Sequence, residues 1–326
     1  MTAPFLRPGW YALATSRELK AMPLRRVFNG VPLVLWRTTG GVAALKDYCP
    51  HRGAPLSKGV VLADAIACPY HGWRFDRTGR CVATPALADR VLKAPVEAFS
   101  AAEADGLVFV RWGRGDAAPD FAPLIPGVDG ASLMRGQVRT SLADIAENIL
   151  DTTHTGVVHQ GYLRRSGGRR ITPRVDLLPD AAEAHYPPAA TPSGFVGRMI
   201  GGPRYRIVDR FRGPSQAEGE YWEDDRLAFS IRFHLTPTSP GHVAAFARMA
   251  VRRGPLAPAR RWLLRVLLSR IFREDRRILQ LVADNRAAFE GACPTHAPQD
   301  LLRPAIEAIL AGEPPRAASV TPELLI

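Results

Sequence analysis

Two short loops of the sequence each carry one cysteine and one histidine, and this repeated pairing constrains the fold more than any other feature. The first loop reads Cys49-Pro-His51, and the second follows after sixteen intervening residues as Cys68-Pro-Tyr-His71. Cysteine and histidine are the side chains that most often bind metals in a chain without a disulfide framework. We therefore expect the surrounding segments to fold into a module that presents both loops to one metal centre.

The residue types discriminate among metal centres. In a Rieske [2Fe–2S] centre two thiolates hold one iron and two imidazoles hold the other, so each loop supplies one ligand of each kind. A zinc site uses the same residue types, but it usually spaces cysteine with cysteine and histidine with histidine. A disulfide between Cys49 and Cys68 would leave both histidines unexplained. The pattern favours a [2Fe–2S] cluster bound by Cys49, His51, Cys68 and His71.

The length and the turn pattern predict two domains. A chain of 326 residues suits two domains of roughly 100–200 residues each. Short apolar runs between turn signals predict an all-β domain over residues 1–115, and prolines and glycines predict a linker over 116–130. Residues 131–326 mix strand-like and helical patterns, including a long amphipathic helix from about Arg260 to Phe289. The predicted fold class is α+β, with an antiparallel sheet covered by helices in the second domain.

The composition limits the cellular location and the partners. The sequence has no run long enough to span a membrane and no signal-peptide pattern at its start, so we expect a cytoplasmic protein. The net charge of +12 comes mostly from arginine. Without a nucleic-acid-binding motif, this charge indicates a solvated basic surface, or a surface that steers an acidic redox protein. The run from Arg260 to Arg273 suits a helix packed on a sheet, with a membrane-surface helix as the alternative.

A second candidate metal site lies in the string from Asn148 to His159. Asn148, Asp151 and His154 are three residues apart, so on one continuous helix they form a slanted polar stripe. Gly156 marks a point where the helix can break and bring His159 close to His154. Two histidines and one carboxylate that leave coordination positions open form the facial triad of non-haem Fe(II) oxygenases. Taken alone, such a string is more often a polar helix rim than an iron site.

The sequence from Pro8 to Trp112 resembles the Rieske domain of bacterial ring-hydroxylating and O-demethylating oxygenases. The resemblance rests on the runs CPHRGAPL and CPYHGWRFD, which begin at Cys49 and Cys68. The later Asp-x₂-His-x₄-His string, which begins at Asp151, is similar to the iron-binding element of the same family. Membership in that family implies an oxygenase component, or alpha subunit, whose catalytic domain has a helix-grip type of fold.

The resemblance also implies a role for each remaining site residue. Besides the two histidines of the string, the mononuclear iron takes an acidic ligand from a late helix. We predict Asp275 for this ligand, with Glu274 and Asp284 as alternatives.

Similar oxygenases are trimers, in which the cluster of one subunit faces the mononuclear iron of its neighbour. In such a homotrimer, Asp151 connects His71 of one subunit with His154 of the next, and Asn148 supports the iron pocket.

The predicted protein is a terminal oxygenase with one [2Fe–2S] cluster and one Fe²⁺ per chain. Its electrons come from NAD(P)H through a separate reductase, with or without a ferredoxin, because the chain shows no nicotinamide-binding glycine fingerprint. We predict monooxygenation, by hydroxylation or demethylation, of an aromatic or other apolar small molecule. The alternatives are a dioxygenase that makes cis-dihydrodiols and, from a different class, a Rieske electron carrier without oxygenase activity.

Overall fold

The computed structural model describes residues 6–87, 90–113, 115, 128–163, 168–188, 205–255, 257–289, 294–316 and 322–326. The chain forms two compact units, Met1–Phe121 with Thr236–Pro240, and Ala122–Leu235 with Gly241–Ile326. The division falls inside the predicted linker, 116–130. Residues 116–127 of that linker lie outside the described ranges, and the last three belong to a strand that begins at Val128. The domain limits 1–115 and 131–326 stay predictions.

The first unit is built from short antiparallel strands in three sheets, as the all-β prediction requires. The strands are β1 Gly9–Thr15, β2 Leu24–Phe28, β3 Val31–Thr38, β4 Gly41–Lys46, β5 Val60–Leu62, β6 Ala65–Ala67, β7 Arg74–Phe75, β8 Cys81–Ala83, β9 Ala98–Phe99, β10 Ala101–Ala104 and β11 Leu107–Trp112. A short 3-10 helix covers Leu56–Lys58. The sheets have the strand orders β1-β11-β10, β2-β3-β4-β9 and β5-β6-β7-β8.

The turn between β2 and β3 shows how the local sequence sets this architecture. Asn29 and Gly30 have φ values of +47° and +80°. A two-residue hairpin turn with both φ values positive matches the twist of the flanking strands, and Asn-Gly is the dipeptide that favours it. Behind this hairpin, the fully buried Trp36, Leu45 and Phe75 pack in one cluster with Cys49 and Cys68. The two cysteines are therefore themselves members of a buried apolar cluster.

The second unit has a seven-stranded sheet and four helices among its described residues. The strands are β12 Val128–Arg139, β13 Arg170–Ile171, β14 Arg174–Leu178, β15 Ala181–Tyr186, β16 Tyr205–Arg212, β17 Gln216–Glu223, β18 Arg226–Ser239, β19 His242–Arg252 and β20 Leu324–Leu325. The large sheet has the order β12-β19-β18-β17-β16-β15-β14, and β13 pairs with β20. The helices are α1 Leu142–Leu150, α2 Thr155–Val158, α3 Ala257–Ala288 and α4 Arg303–Ala311.

Helix α3 packs on β12 and β19 through one apolar stripe. Its buried residues Leu264, Leu268, Ile271 and Leu279 follow the three- and four-residue spacing of a single helix face. One member of that series, Asp275, is acidic, and it lies one turn from both Ile271 and Leu279. The α+β prediction and the long helix predicted at about 260–289 are confirmed. No helix in the described part of the chain is both long and apolar enough to cross a membrane.

Candidate metal centres

The two cysteine–histidine loops of the first unit close by the same turn. The backbone N–H of Gly53 donates to the Cys49 carbonyl at 2.8 Å, and that of Gly72 donates to the Cys68 carbonyl at 3.1 Å. The two glycines have φ values of +75° and +70°, a left-handed conformation that is strained for residues with a Cβ. The spacing Cys-x₃-Gly therefore folds twice into one shape.

The turns bring together the four side chains that were predicted to bind a cluster. The ring centroids of His51 and His71 are 4.5 Å apart, and Cys49 and Cys68 are both buried. Burial raises the pKa of the Cys49 thiol to about 11, and the neighbouring Cys68 adds to this rise. Two thiols and two imidazoles in contact are the donor set that a Rieske cluster requires.

One ring nitrogen of this set lacks a hydrogen-bond partner. The buried Nδ1 of His51 has no hydrogen-bond partner among the described residues. A buried ring nitrogen without a partner costs free energy, and coordination to iron would remove that cost. The His51 ring is held in place by stacking on Trp73, with centroids 4.7 Å apart and planes 4° apart. The four residues thus fit a [2Fe–2S] cluster.

The second candidate site begins where helix α1 ends. Ser141 caps the start of this helix by accepting a hydrogen bond from the backbone N–H of Asp144. The helix stops at Leu150, because Asp151 has the extended angles φ −83° and ψ 118°. Its carboxylate accepts hydrogen bonds from the backbone N–H groups of Thr153, at 2.6 Å, and His154, at 3.2 Å. Aspartate commonly ends helices by competing in this way for backbone donors.

This geometry corrects the predicted polar stripe. Asn148 lies on α1, whereas Asp151 and His154 lie beyond its end, so the three do not share one helical face. Gly156 is not the break either, since it lies inside α2. The helix breaks instead at residues 151–153, and α2 then carries the chain on to His159, which directly follows it.

The break brings both histidines to the acidic residue of helix α3. Nε2 of His159 lies 2.9 Å from Oδ1 of Asp275, and Nε2 of His154 lies 3.4 Å from the same oxygen. Ligand atoms of the three residues are all within 4.8 Å of one another. Such a spacing suits a single ion bound by two imidazoles and one carboxylate. The three residues predicted to bind iron therefore lie together.

The outer nitrogens of the two imidazoles contact two further carboxylates. Nδ1 of His154 lies 3.2 Å from Asp151. Nδ1 of His159 lies 2.8 Å from Glu274, whose other oxygen accepts a hydrogen bond from Arg270 at 2.9 Å. Histidine ligands of metals usually have such a partner on the ring nitrogen that faces away from the ion.

Of the alternative acidic ligands, neither occupies the position between the two histidines. Glu274 lies on the outer side of His159, and Asp284 forms an ion pair with Arg139. Asp275 has the geometry for the ligand because it occupies the sheet-facing stripe of α3. An acidic residue at a position of the apolar helix stripe is a pattern that the sequence alone shows, and it indicates Asp275 as the ligand. No periodicity signal identified Glu274 as the partner of His159.

The charges of the site shift the pKa values of its members. Burial lowers the pKa of His154, but the hydrogen bonds and charges of Asp151 and Asp275 outweigh burial and raise this pKa to about 9. Burial raises the pKa of Asp275, but hydrogen bonds from the two histidines outweigh it and lower the pKa below its usual value. The carboxylates are thus negatively charged at neutral pH, as binding of a cation requires.

Two spaces of different chemistry adjoin this site. The first, here called the apolar cavity, has a volume of about 400 Å³ and is lined by Asp275, Asn148 and mostly apolar side chains, among them Leu133, Met134, Val138, Ile145, Phe233 and Phe272. The second, here called the polar cleft, has a volume of about 320 Å³. Its lining includes His154, Asp151 and the charged residues Asp144, Glu147, Asp300, Arg286 and Arg303. Asn148 lines both spaces, and its role in supporting an iron pocket stays a prediction.

The chain is similar to several known proteins. The model of the Rieske [2Fe-2S] domain family matches residues 9–100. The chain is 33% identical over 208 residues to dicamba O-demethylase, oxygenase component, of Stenotrophomonas maltophilia, a match that covers 61% of each protein. It is 32% identical over 206 residues to chloroacetanilide N-alkylformylase, oxygenase component, of Rhizorhabdus wittichii, covering 60% of this chain and 59% of the relative. The matches thus span less than two thirds of these relatives' lengths.

The structural similarity extends over almost the whole chain. The crystal structure of dicamba monooxygenase bound to dicamba superposes with a TM-score of 0.80 at 25% sequence identity. The superposition covers 94% of this chain and 97% of that one. By its sequence and its fold, the chain is a homologue of the oxygenase components of Rieske non-haem iron systems.

Proposed function

We propose that this chain is the terminal oxygenase of a Rieske non-haem iron system. The observation that carries the proposal is the presence of two complete donor sets in one chain. One set comprises two cysteines and two histidines in the Rieske domain. The other is the triad of His154, His159 and Asp275, whose ligand atoms lie within 4.8 Å of one another. An electron carrier needs only the first set, so the second favours an oxygenase.

In this proposal Cys49, His51, Cys68 and His71 hold the [2Fe–2S] cluster, and the triad holds Fe²⁺. When bound, the cluster supplies one-electron transfer, and the mononuclear iron supplies activation of O₂ next to the substrate. Asp151 and Glu274 fix the orientation of the two histidine ligands by accepting from their outer nitrogens. Asn148 lines the wall beside the triad and can donate a hydrogen bond to a molecule bound there.

The apolar cavity is the proposed substrate site. Its volume of about 400 Å³ lies in the range of 300–1,000 Å³ that is typical of small-molecule sites. Because Asp275 lines it, a bound molecule would lie beside the proposed iron ligands. The apolar part of its lining suits an aromatic or other apolar molecule.

The reaction that we propose is monooxygenation, by hydroxylation or demethylation. It consumes one O₂, two electrons and two protons, places one oxygen atom in the product and releases the other as water. NAD(P)H supplies the electrons through a separate reductase, with or without a ferredoxin. The homologues named as O-demethylase and N-alkylformylase components support this choice. The alternative, dihydroxylation of an aromatic ring, would place both oxygen atoms in the product.

We further propose that the protein works in the cytoplasm as a homotrimer. In the trimer, Asp151 would accept hydrogen bonds from His154 of its own subunit and from His71 of the partner subunit. The position of Asp151 supports this, because its carboxylate lines the polar cleft and is therefore reachable from outside the unit. The loop tips around His71 also offer exposed aromatic surface, since Tyr70 is 65% and Tyr48 is 54% exposed. Exposed aromatic residues of this kind are common in protein interfaces.

Metal analysis of an Asp275→Ala variant tests the proposal. The wild-type protein, purified under anaerobic conditions, should hold roughly three irons per chain, two in the cluster and one in the triad. The variant should hold roughly two, with the visible absorption of the cluster unchanged, and should not turn over. Asp284→Ala is the matched control, because it removes a carboxylate from the same helix that pairs with Arg139 instead. Full iron content and turnover in Asp275→Ala would refute the assignment of this ligand.

Labelled oxygen separates the two reaction types. With ¹⁸O₂, a monooxygenase incorporates one labelled atom into the product or into the leaving formaldehyde, and a dioxygenase incorporates two. A wild-type protein with only two irons per chain and no uptake of O₂ would instead support the electron-carrier alternative.

A further inference from the structure

Helix α3 buries one face against the sheet and exposes large apolar side chains on the opposite face. The buried positions of residues 257–277 include Leu264 and Ile271. Trp262 and Val266 lie one helical turn apart on the other face, and they are 67% and 50% exposed. All six tryptophans of the chain lie in the described ranges, and Trp262 is the exposed one. Apolar side chains grouped in this way on a surface indicate an interaction site.

Arginines surround these two side chains on the exposed face. From Ala257 to Arg273 the helix contains no aspartate or glutamate, and the two acids that follow, Glu274 and Asp275, contact the histidines of the proposed iron site. The exposed arginines between positions 257 and 277 are Arg260, Arg265, Arg270, Arg273, Arg276 and Arg277. Of these, only Arg270 forms an ion pair with a described residue. The exposed face of α3 is therefore strongly cationic.

These cations are spread along the helix rather than gathered around one point. Arg277 follows Arg260 by 17 positions, and this spacing corresponds to about 25 Å along a helix that rises about 1.5 Å per residue. A small anion could contact only one or two of the guanidinium groups at a time. An extended, flat anionic surface could contact the whole row, with Trp262 and Val266 between the charged groups.

We propose that this exposed face of helix α3 docks the protein on the surface of an anionic phospholipid bilayer. Trp262 and Val266 would enter the headgroup region, where indole rings are preferentially found in membrane proteins. The arginines would bind the lipid phosphates, whose negative potential attracts basic segments. The helix would lie in the plane of the membrane, as amphipathic surface helices do. The binding is peripheral, because the opposite face of the helix stays packed on the sheet.

The docking face adjoins the opening of the apolar cavity. Arg265, Ser269 and Arg273 line this cavity and are exposed, so the cavity opens along this side of the helix. An apolar molecule dissolved in the bilayer could then enter the cavity without first crossing bulk water. Only this consequence rests on the proposed function, and the docking itself is independent of it.

Vesicle flotation with the full-length, cluster-loaded protein tests the proposal. Vesicles of an equal mixture of phosphatidylglycerol and phosphatidylcholine should bind the protein, and vesicles of phosphatidylcholine alone should bind it much more weakly. Binding should weaken between about 0.1 M and 1 M salt, because the screening length falls from about 10 Å to about 3 Å.

Substitution of arginines locates the docking face. The triple variant Arg260→Gln, Arg265→Gln and Arg277→Gln should bind the anionic vesicles roughly 100-fold more weakly, since each arginine near such a surface contributes about fivefold. The control triple variant removes the same charge from exposed arginines outside α3, namely Arg170→Gln, Arg174→Gln and Arg316→Gln. The control should bind within about twofold of the wild type, because exposed charges act only over about a Debye length.

Tryptophan fluorescence reports whether the apolar side chains enter the bilayer. Phosphatidylglycerol with brominated acyl chains should quench the fluorescence of the bound protein, because Trp262 is the exposed tryptophan of the chain. Trp262→Ser should lose this quenching. Phe289→Ser, which removes another exposed aromatic side chain, should retain it.

Three results would overturn the proposal. The first is equal binding, or none, to the anionic and the neutral vesicles, and the second is an equal loss of binding in the two triple variants. The third is a Arg260, Arg265 and Arg277 variant that binds vesicles normally but raises the KM for the reductase, which would assign this face to an acidic protein partner. In each case a normal iron content and normal turnover of the wild type would leave the proposed oxygenase function intact.

Discussion

Glu274 offers a graded test of how the mononuclear site is held. Its carboxylate lies 2.8 Å from Nδ1 of His159, and the His159 side chain is fully buried. Glu274 is held in turn by Arg270. Removal of such an outer partner typically lowers metal affinity by about 10- to 100-fold, which corresponds to about 1.4 to 2.7 kcal/mol.

The two ends of that range correspond to two substitutions. Glu274→Gln keeps an acceptor for the Nδ1–H group but removes the negative charge, so we expect a loss of about tenfold in affinity for Fe²⁺. Glu274→Ala removes both, so we expect about 100-fold. The assay is anaerobic competition for Fe²⁺ between a chromophoric chelator and the cluster-loaded protein. The absorption of the cluster serves as the internal measure of folding.

Asp284→Ala is the control for these variants, because it also removes an acidic side chain from α3. It should change the affinity for Fe²⁺ by less than twofold. An affinity in Glu274→Ala that stays within twofold of the wild type would refute the reasoning. The same conclusion would follow if Glu274→Gln and Glu274→Ala were equally impaired, since charge and hydrogen bonding would then not be separable contributions.

Three further predictions concern the neighbourhood of helix α1. Asp151→Asn should retain both metal centres but lower steady-state turnover by about 10- to 100-fold, because it removes the charge that is proposed to couple the imidazoles of His154 and the partner's His71. Iron content and the rate of O₂ uptake are the measurements. Normal turnover in this variant would refute the bridging role of Asp151. Arg303→Ala should destabilise the second unit by about 3 kcal/mol, because the arginine is 11% exposed and pairs with Asp144 at 2.8 Å and Glu147 at 2.7 Å. The control is Arg316→Ala, which removes an exposed arginine and should change the free energy of unfolding by less than about 0.5 kcal/mol. Both values are measured by denaturant unfolding, and equal losses in Arg303→Ala and Arg316→Ala would contradict the prediction. Finally, burial raises the pKa of Asp144, but hydrogen bonds from Ser141 and two arginines outweigh it and hold this pKa below its usual value. The stabilisation that the Asp144 carboxylate contributes is then complete above its unfolded-state pKa of about 3.9 and is lost as the pH falls below that value. The difference in unfolding free energy between the wild type and Asp144→Asn should therefore shrink between pH 6 and pH 3.

Much of the cluster-binding module was predictable because its determinants are local. The spacing Cys-x₃-Gly sets a turn within five residues, and the turn occurs twice. Asn29-Gly30 sets a hairpin in the same way. The apolar runs around these turns then predicted an all-β module, since their pattern has the period of strands.

The prediction around the second site was wrong where a local competition decided the outcome. Three-residue spacing suggested one continuous helix through Asn148, Asp151 and His154. The Asp151 side chain instead takes the backbone N–H groups of the residues that follow it, and so ends the helix. Whether an aspartate continues or ends a helix depends on which hydrogen bonds the fold makes available, and spacing alone does not contain that information.

The sequence by itself determined which residue types could bind metals, that two centres were expected, and that a long amphipathic helix would cover a sheet. Only the tertiary structure decided which carboxylate meets the histidines. Asp275 and His159 are separated by 116 residues, and their contact depends on the packing of α3 against the sheet. Packing likewise decided that Glu274 faces the outer nitrogen of His159 and that four arginines line the apolar cavity. Such contacts arise from the mutual orientation of distant elements, and this is the part of the structure that no local pattern in a single sequence encodes.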